Sequence, residues 1–258
     1  MKAAVRRIFA ARPCPLLAAG LLAAASLVAL GTGPAGAAQT RFTIPASARQ
    51  LVVVSSPTYD PANYLARFQS FARASATSAW KPVFATWETE IGSGELRDVR
   101  REGDHATPTG VYGFGLATIY GAWPNPGGLH APYHRFVCGD WWDEDPYSAQ
   151  YNRFVHVACT TTPPFAAWSE PLWEETEGDR GYPYLVVIDY NLDPTIAGPD
   201  APGSGIFLHA WMDAPTEGCI ALPISELLAV LRWLEPKDHP VVEIGTDAEV
   251  GRVPPLPT

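Results

Sequence analysis

The sequence predicts a mainly β protein, with a β-sandwich or barrel-like core and a few appended helices. Three observations carry that expectation. About seven short runs rich in Val, Ile, Tyr and Phe are separated by turn-rich connections. Only two segments show helical spacing, and they do not alternate with the strands, which argues against a doubly wound parallel sheet. The 26 prolines and 22 glycines rule out a coiled coil, while 9 Trp, 10 Tyr and 10 Phe supply bulky apolar surface for a sizeable core within 258 residues.

Taken in order, the chain opens with Lys2, Arg6, Arg7 and Arg12, then an apolar run from Pro13 to Leu30, then small residues ending in Ala35-Gly36-Ala37. A basic head, apolar middle and A-x-A site predict a signal peptide over 1–37. The competing reading is a retained anchor, but the Ala- and Gly-rich run is at the low edge of what a bilayer crossing needs. No later stretch is long enough to span a membrane. Residues 38–50 read as a leader into a catalytic domain over 51–245.

Leu51 to Ser56 is the first strand. Asp60 with Pro61 reads as a helix start, placing Leu65, Phe68 and Ala72 on one face. Val83 to Ile91 and Val111 to Ile119 are strands, the second interrupted by Gly113 and Gly115. Trp123 to Tyr151 reads as a functional loop or lid. Phe154 to Cys159, Tyr184 to Tyr190, Ile206 to Ala210 and Val241 to Gly245 complete the strands. Ile224, Leu227, Leu228, Leu231 and Leu234 recur at helical spacing, and Pro236 ends that helix. Its start, at Pro223 or with Ser225 as cap, stays open. Residues 246–258 read as a Pro-rich tail.

The formal charge is −9, with no Lys/Arg run, which argues against nucleic acid as a partner because phosphate-backbone affinity depends on cationic side chains. Cleavage after Ala37 would leave three cysteines in an oxidising environment. Cys138 and Cys159 bracket a loop whose closure by a disulfide would add roughly 3 kcal/mol. That pairing would leave Cys219 as a free thiol.

The segment from Gly205 to Pro223 carries the chemistry. A strand ends near His209, and ten residues later Cys219 follows Gly218 at a turn into the helix. A free thiol with a pKa near 8.5 is only a few per cent ionised at neutral pH. An adjacent imidazole takes its proton and returns it to a leaving amine. Gly218 permits close backbone approach, so amides near Gly218 and Cys219 can face an oxyanion.

The segment resembles the signature of the YkuD-type L,D-transpeptidases, in a branch ending P-T-x-G-C-[IV]-A-L. Arg101-Glu102-Gly103-Asp104-His105-Ala106-Thr107-Pro108-Thr109-Gly110-Val111-Tyr112 resembles the family's G-D-x-x-T-P stretch. Asp140-Trp141-Trp142-Asp143-Glu144-Asp145-Pro146, Tyr151-Asn152, Tyr190-Asn191 and Gly203-Ser204-Gly205 follow in family order. The resemblance implies a YkuD-like fold, Cys219 as nucleophile, His209 as base, Ala210 as the carbonyl that orients the imidazole, and Gly218 with the Cys219 amide as oxyanion donors. Tyr112, Trp211, Thr216 and Glu217 are the implied substrate-binding set. It further implies a thioester with peptidoglycan stem tetrapeptides, release of D-Ala, transfer to an amine of another stem, acylation by carbapenem-type inhibitors, an extracytoplasmic location, and no metal or cofactor. An L,D-carboxypeptidase using the same residues and a noncatalytic wall-binding module are the alternatives. Two departures stand out: Glu217 precedes Gly218-Cys219, where a carboxylate opposes thiolate formation unless it points away, and Ala221 replaces the Arg or Asn found in many members.

Other candidates read more simply. His130 and His134, with Asp140 or His156, lack helical zinc-ligand spacing. Asp189 to Asp193 opens like a calcium loop but has Pro194 where that loop needs Gly. Asp143-Glu144-Asp145 reads as a solvated loop, Thr107-Pro108 as a turn, and Trp141-Trp142 as either a glycan-stacking lid or buried packing.

Overall fold

The computed structural model describes residues 41–57, 64–174 and 181–250, all within the unit Ala38–Thr258. The expected signal peptide and residues 251–258 of the expected tail lie outside them, as do Asp60 and Pro61. In chain order the elements are β1 (Gln50–Ser56), β2 (Leu65–Ala72), β3 (Lys81–Pro82), β4 (Trp87–Glu90), β5 (Leu96–Arg97), β6 (Thr107–Pro108), β7 (Gly110–Gly113), β8 (Ile119–Gly121), β9 (Tyr133–Arg135) and β10 (Asp140–Asp143). Then come β11 (Arg153–His156), β12 (Glu170–Pro171), β13 (Leu185–Val187), β14 (Phe207–Ala210), β15 (Ile220–Leu222), α1 (Ile224–Trp233) and β16 (Val241–Thr246). The fold is mainly β, as the sequence predicts.

The large sheet runs β7-β16-β1-β2-β4-β15-β14-β13-β8-β9, with β3 added on β2. It is mixed: β1 pairs parallel with β16, β14 with β15, and β8 with β9. The sheet curls around a core in which Val52, Val54, Leu208, Ala210, Ile220, Leu222 and Ile244 meet Leu227, Val230, Leu231 and Leu234 of the α1 segment. Alternation sorts the remaining strand residues to the outer face. At one end Leu51, Val53 and Val241 pack with Phe71 and Val250. At the other, Leu185, Val187, Phe207 and Cys219 pack with Trp142 and Tyr182. The run Leu51 to Val54 is therefore apolar throughout because both faces of β1 are covered.

Several expectations change. Leu65 to Ala72 is a strand, not a helix: Ala66, Phe68 and Ser70 are buried while Arg67 is exposed, a period of two, and Arg67 to Ala72 pair with β1 while Leu65 to Phe68 pair with β4. Val83 is 37% exposed and outside β4, and the Val111–Ile119 run divides into β7 and the start of β8. The Trp-rich loop contains β9 and β10, and β10 forms a second sheet ordered β11-β10-β12. Asp143 is fully buried, so the Asp143-Glu144-Asp145 run is not a solvated loop. Asp143 Oδ1 instead accepts the Asp145 amide at 2.9 Å. Pro223 is the residue that precedes the first turn of α1. Among the described residues, no helix is long and apolar enough to cross a membrane.

Candidate active site

β14 and β15 bring the two candidate groups together. Their parallel register pairs Leu208 with Ile220, His209 with Ala221 and Ala210 with Leu222. Cys219 lies two residues before Ala221, so it shares the outer face with His209 as a diagonal neighbour. Cys219 is a free cysteine.

The nucleophile turn is held by hydroxyls. Thr107, on β6, accepts the Gly92 amide at 2.8 Å and donates to the Gly218 carbonyl at 2.9 Å. Thr216 donates to the Cys219 carbonyl at 2.8 Å and accepts the Gly218 amide at 3.2 Å. Gly218 has φ +124°, and a Cβ there would stand 2.6 Å from the Ala106 carbonyl oxygen, so only glycine fits.

The Cys219 thiol donates to the Gly205 carbonyl at 3.2 Å, and the Phe207 amide donates to the sulfur at 3.4 Å. Asn152 fixes Gly205. Its Oδ1 accepts both the Gly205 amide and the Trp142 indole N–H, each at 3.0 Å, while its Nδ2 donates to the Tyr190 and Asn191 carbonyls. Four widely spaced sequence motifs thus converge on the carbonyl that holds the sulfur.

The His209 Nδ1 donates to the Gly181 carbonyl at 3.2 Å, and the backbone of Ala210 adds to the same effect. A protonated Nδ1 leaves Nε2 as the basic nitrogen. Burial lowers the imidazole pKa to about 4, with the Gly181 and Ala210 hydrogen bonds opposing it. Burial also pushes the Cys219 thiol upward, and the charges of Glu170 and Glu144 add to that, against the Phe207 amide and Arg100. The resting pair is therefore a neutral thiol beside a neutral imidazole. Both are covered, at 6% and 2% exposure. Trp142 packs edge-on against Phe207 at 5.0 Å, and Tyr182 edge-on against His209 at 5.1 Å.

The remaining sequence candidates are placed as follows. The Glu217 side chain is 84% exposed and lies 3.7 Å from His105, so it points away from the sulfur. The Trp211 indole donates to Asp213 at 2.7 Å. The Tyr112 hydroxyl donates to the Thr109 carbonyl and its ring packs on Tyr190. His134 Nε2 and His156 Nδ1 each bond one oxygen of buried Asp140 at 2.7 Å, and among the described residues no group of three acidic, His or Cys side chains is arranged for a metal. Cys138 and Cys159 have Cα atoms 5.5 Å apart, within disulfide range.

Sequence reasoning missed Gly181, Tyr182, Arg100 and Glu170. Each reaches the site from a segment remote in the chain, and none carries a local signal.

Comparison with known proteins fits this arrangement. Searches of curated proteins and of solved structures return no match. A family model described as the L,D-transpeptidase catalytic domain, YkuD, matches residues 75–244. That match spans every strand and turn that builds the Cys219–His209 face, and the chain belongs to the YkuD family of L,D-transpeptidase catalytic domains.

Proposed function

We propose that the protein is an exported cysteine acyltransferase that forms a thioester with peptidoglycan stem tetrapeptides and passes the acyl group to an amine of a second stem, giving 3→3 cross-links. The observation that carries the reading is the free Cys219 sharing one face of adjacent parallel strands with His209. Because the resting groups are both neutral, proton removal accompanies attack instead of preceding it. His209 Nε2 takes the thiol proton as the sulfur leaves the Gly205 carbonyl and bonds the carbonyl carbon before the terminal D-Ala. The Cys219 amide faces the oxyanion, since Thr216 engages the Gly218 amide. His209 then protonates the departing D-Ala amine, and the thioester remains for aminolysis.

Export through residues 1–37 fits a cell-wall substrate, and an oxidising compartment preserves a Cys138–Cys159 disulfide. Intact mass spectrometry after carbapenem treatment tests the site. One drug mass is expected on the parent and none on Cys219→Ala; an unmodified parent overturns the reading. Incubation with tetrapeptide-containing wall is expected to release D-Ala and yield 3→3 dimers, whereas tripeptides alone would assign the protein as a carboxypeptidase.

A further inference from the structure

We infer that Glu144 receives the acceptor: its carboxylate binds the ammonium of an amino-acid end group and takes the proton the amine must lose before attacking the Cys219 thioester. This deepens the acyltransferase reading and rests on it.

Glu144 directly follows β10, where its amide is fixed by the Ser169 hydroxyl at 3.0 Å. Its Oε1 packs on Gly205 so closely that a Cβ there would lie 2.4 Å away. Gly205 is the residue whose carbonyl holds the thiol, so carboxylate, turn and sulfur are consecutive neighbours. Glu170, Glu102 and Glu217 all act electrostatically on Glu144; Glu217 is exposed, and the other two differ from Glu144 in one respect. Glu102 accepts the hydroxyls of Tyr151 and Ser204. Glu170 accepts that of Tyr182 at 2.5 Å. The Glu144 carboxylate has no hydrogen-bond partner among the described residues.

A second group is left unmatched beside it. Arg100, with a side chain only 2% exposed, uses Nε and Nη2 on Asp104, and its Nη1 has no partner. A Cβ on Gly203 would stand 3.1 Å from that Nη1. A buried donor at Gly203 and a carboxylate at Gly205 sit two residues apart on one turn, with opposite charge. An unsatisfied buried N–H on Arg100 is costly, while the partly exposed Glu144 carboxylate is open to a ligand. Their complement is a group bearing both ammonium and carboxylate: an amino-acid centre with a free amine.

The proton balance closes. The ammonium gives one proton to Glu144, and the neutral nitrogen bonds the thioester carbon as the C–S bond breaks. The second nitrogen proton passes through His209 to the departing sulfur, and Glu144 returns its own to solvent as product leaves. Burial first, and then the charges of Glu170, Glu102 and Glu217, raise the Glu144 pKa, against Arg100, so this carboxylate takes up a proton more readily than an exposed one.

The test uses the full chain with a tetrapeptide donor and glycine as acceptor, reading tripeptidyl-glycine against tripeptide, with glycinamide as the acceptor lacking a carboxylate. Circular dichroism and thermal denaturation check that Glu144→Gln folds, and carbapenem acylation of the parent reports the first half-reaction. The transfer-to-hydrolysis ratio of Glu144→Gln should fall roughly 10²-fold at pH 7. That deficit should close above the pKa of the acceptor amine, where no base is needed. Glu144→Asp should recover part of the loss, and the parent should prefer glycine to glycinamide. An unchanged ratio in Glu144→Gln, a deficit constant with pH, or no preference for glycine overturns the assignment while leaving the thioester reading intact. A parent that does not acylate overturns both.

Discussion

His209 is set by burial before it is set by any partner. Its folded pKa of about 4 lies below the ordinary imidazole value of 6.5. As pH falls, the unfolded chain therefore takes a proton first, and the folded state resists protonation until about pH 4. Stability tied to the neutral ring is complete above about pH 6.5 and is lost progressively between 6.5 and 4, by roughly 3 kcal/mol. Urea denaturation at a series of pH values should show that slope, and His209→Asn should flatten it; equal slopes would mean that the ring is not held neutral by the fold. The same residue shows what the chain discloses at this scale. His209 and Cys219 are legible because a strand-borne imidazole and a Gly-Cys turn sit ten residues apart. The group that orients the ring is not, since Gly181 stands 28 positions away and offers only a carbonyl, a group every residue has. Glu217, which in sequence threatens the thiolate, is harmless because its turn aims it outward; the opposing charges come from Glu170 and Glu144.

Short elements do much of the positioning, and short elements are hard to read. The α1 helix is legible because five apolar residues repeat at one period, and β1 and β16 because Val52 to Val54 and Val241, Val242 and Ile244 are β-branched. β2 defeats the same reading: apolar Leu65, Phe68 and Ala72 satisfy a helical face, yet pairing against both β1 and β4 imposes a period of two. β6 has only two residues and no pattern at all, but through Thr107 it ties Gly92 to Gly218. Thr107 is fully buried, so an isosteric Thr107→Val would strand one amide and one carbonyl without solvent. The expected cost is about 1–3 kcal/mol in stability, measured by thermal denaturation. Because the orphaned carbonyl belongs to Gly218, Cys219 acylation should slow by more than the stability change explains at a temperature where both proteins are folded. Acylation at the parental rate would show that the turn holds its shape without the tether.

At the scale of all the described residues, one sheet wraps a helix and a second, three-stranded sheet lies over the outer face that bears the sulfur. The sequence discloses the first from its apolar runs; the second arises where a Trp-, Pro- and Asp-rich segment looks like loop because its strands are short and its buried polar side chains are matched only after folding. Asp140, between His134 and His156, and Asn152, between Trp142 and Gly205, are such matches. Cys138 and Cys159 flank β10 and β11, and the Val157 amide meets the Gly139 carbonyl at 2.8 Å beside them. A disulfide there would close 21 residues of separation around the strands that contribute Trp142 to the cover. Loop-closure entropy puts its contribution at roughly 3 kcal/mol. Replacing both cysteines by serine should therefore lower unfolding free energy by about that amount, and it should act locally as well. Iodoacetamide, which reaches Cys219 only when the cover opens, should label the double variant faster than the parent at pH 7, while amide exchange in α1 stays unchanged because that helix packs on the opposite face. If labelling accelerates no more than α1 exchange, the small sheet is not the gate to the sulfur, and access runs instead from the Trp211–Thr216 side.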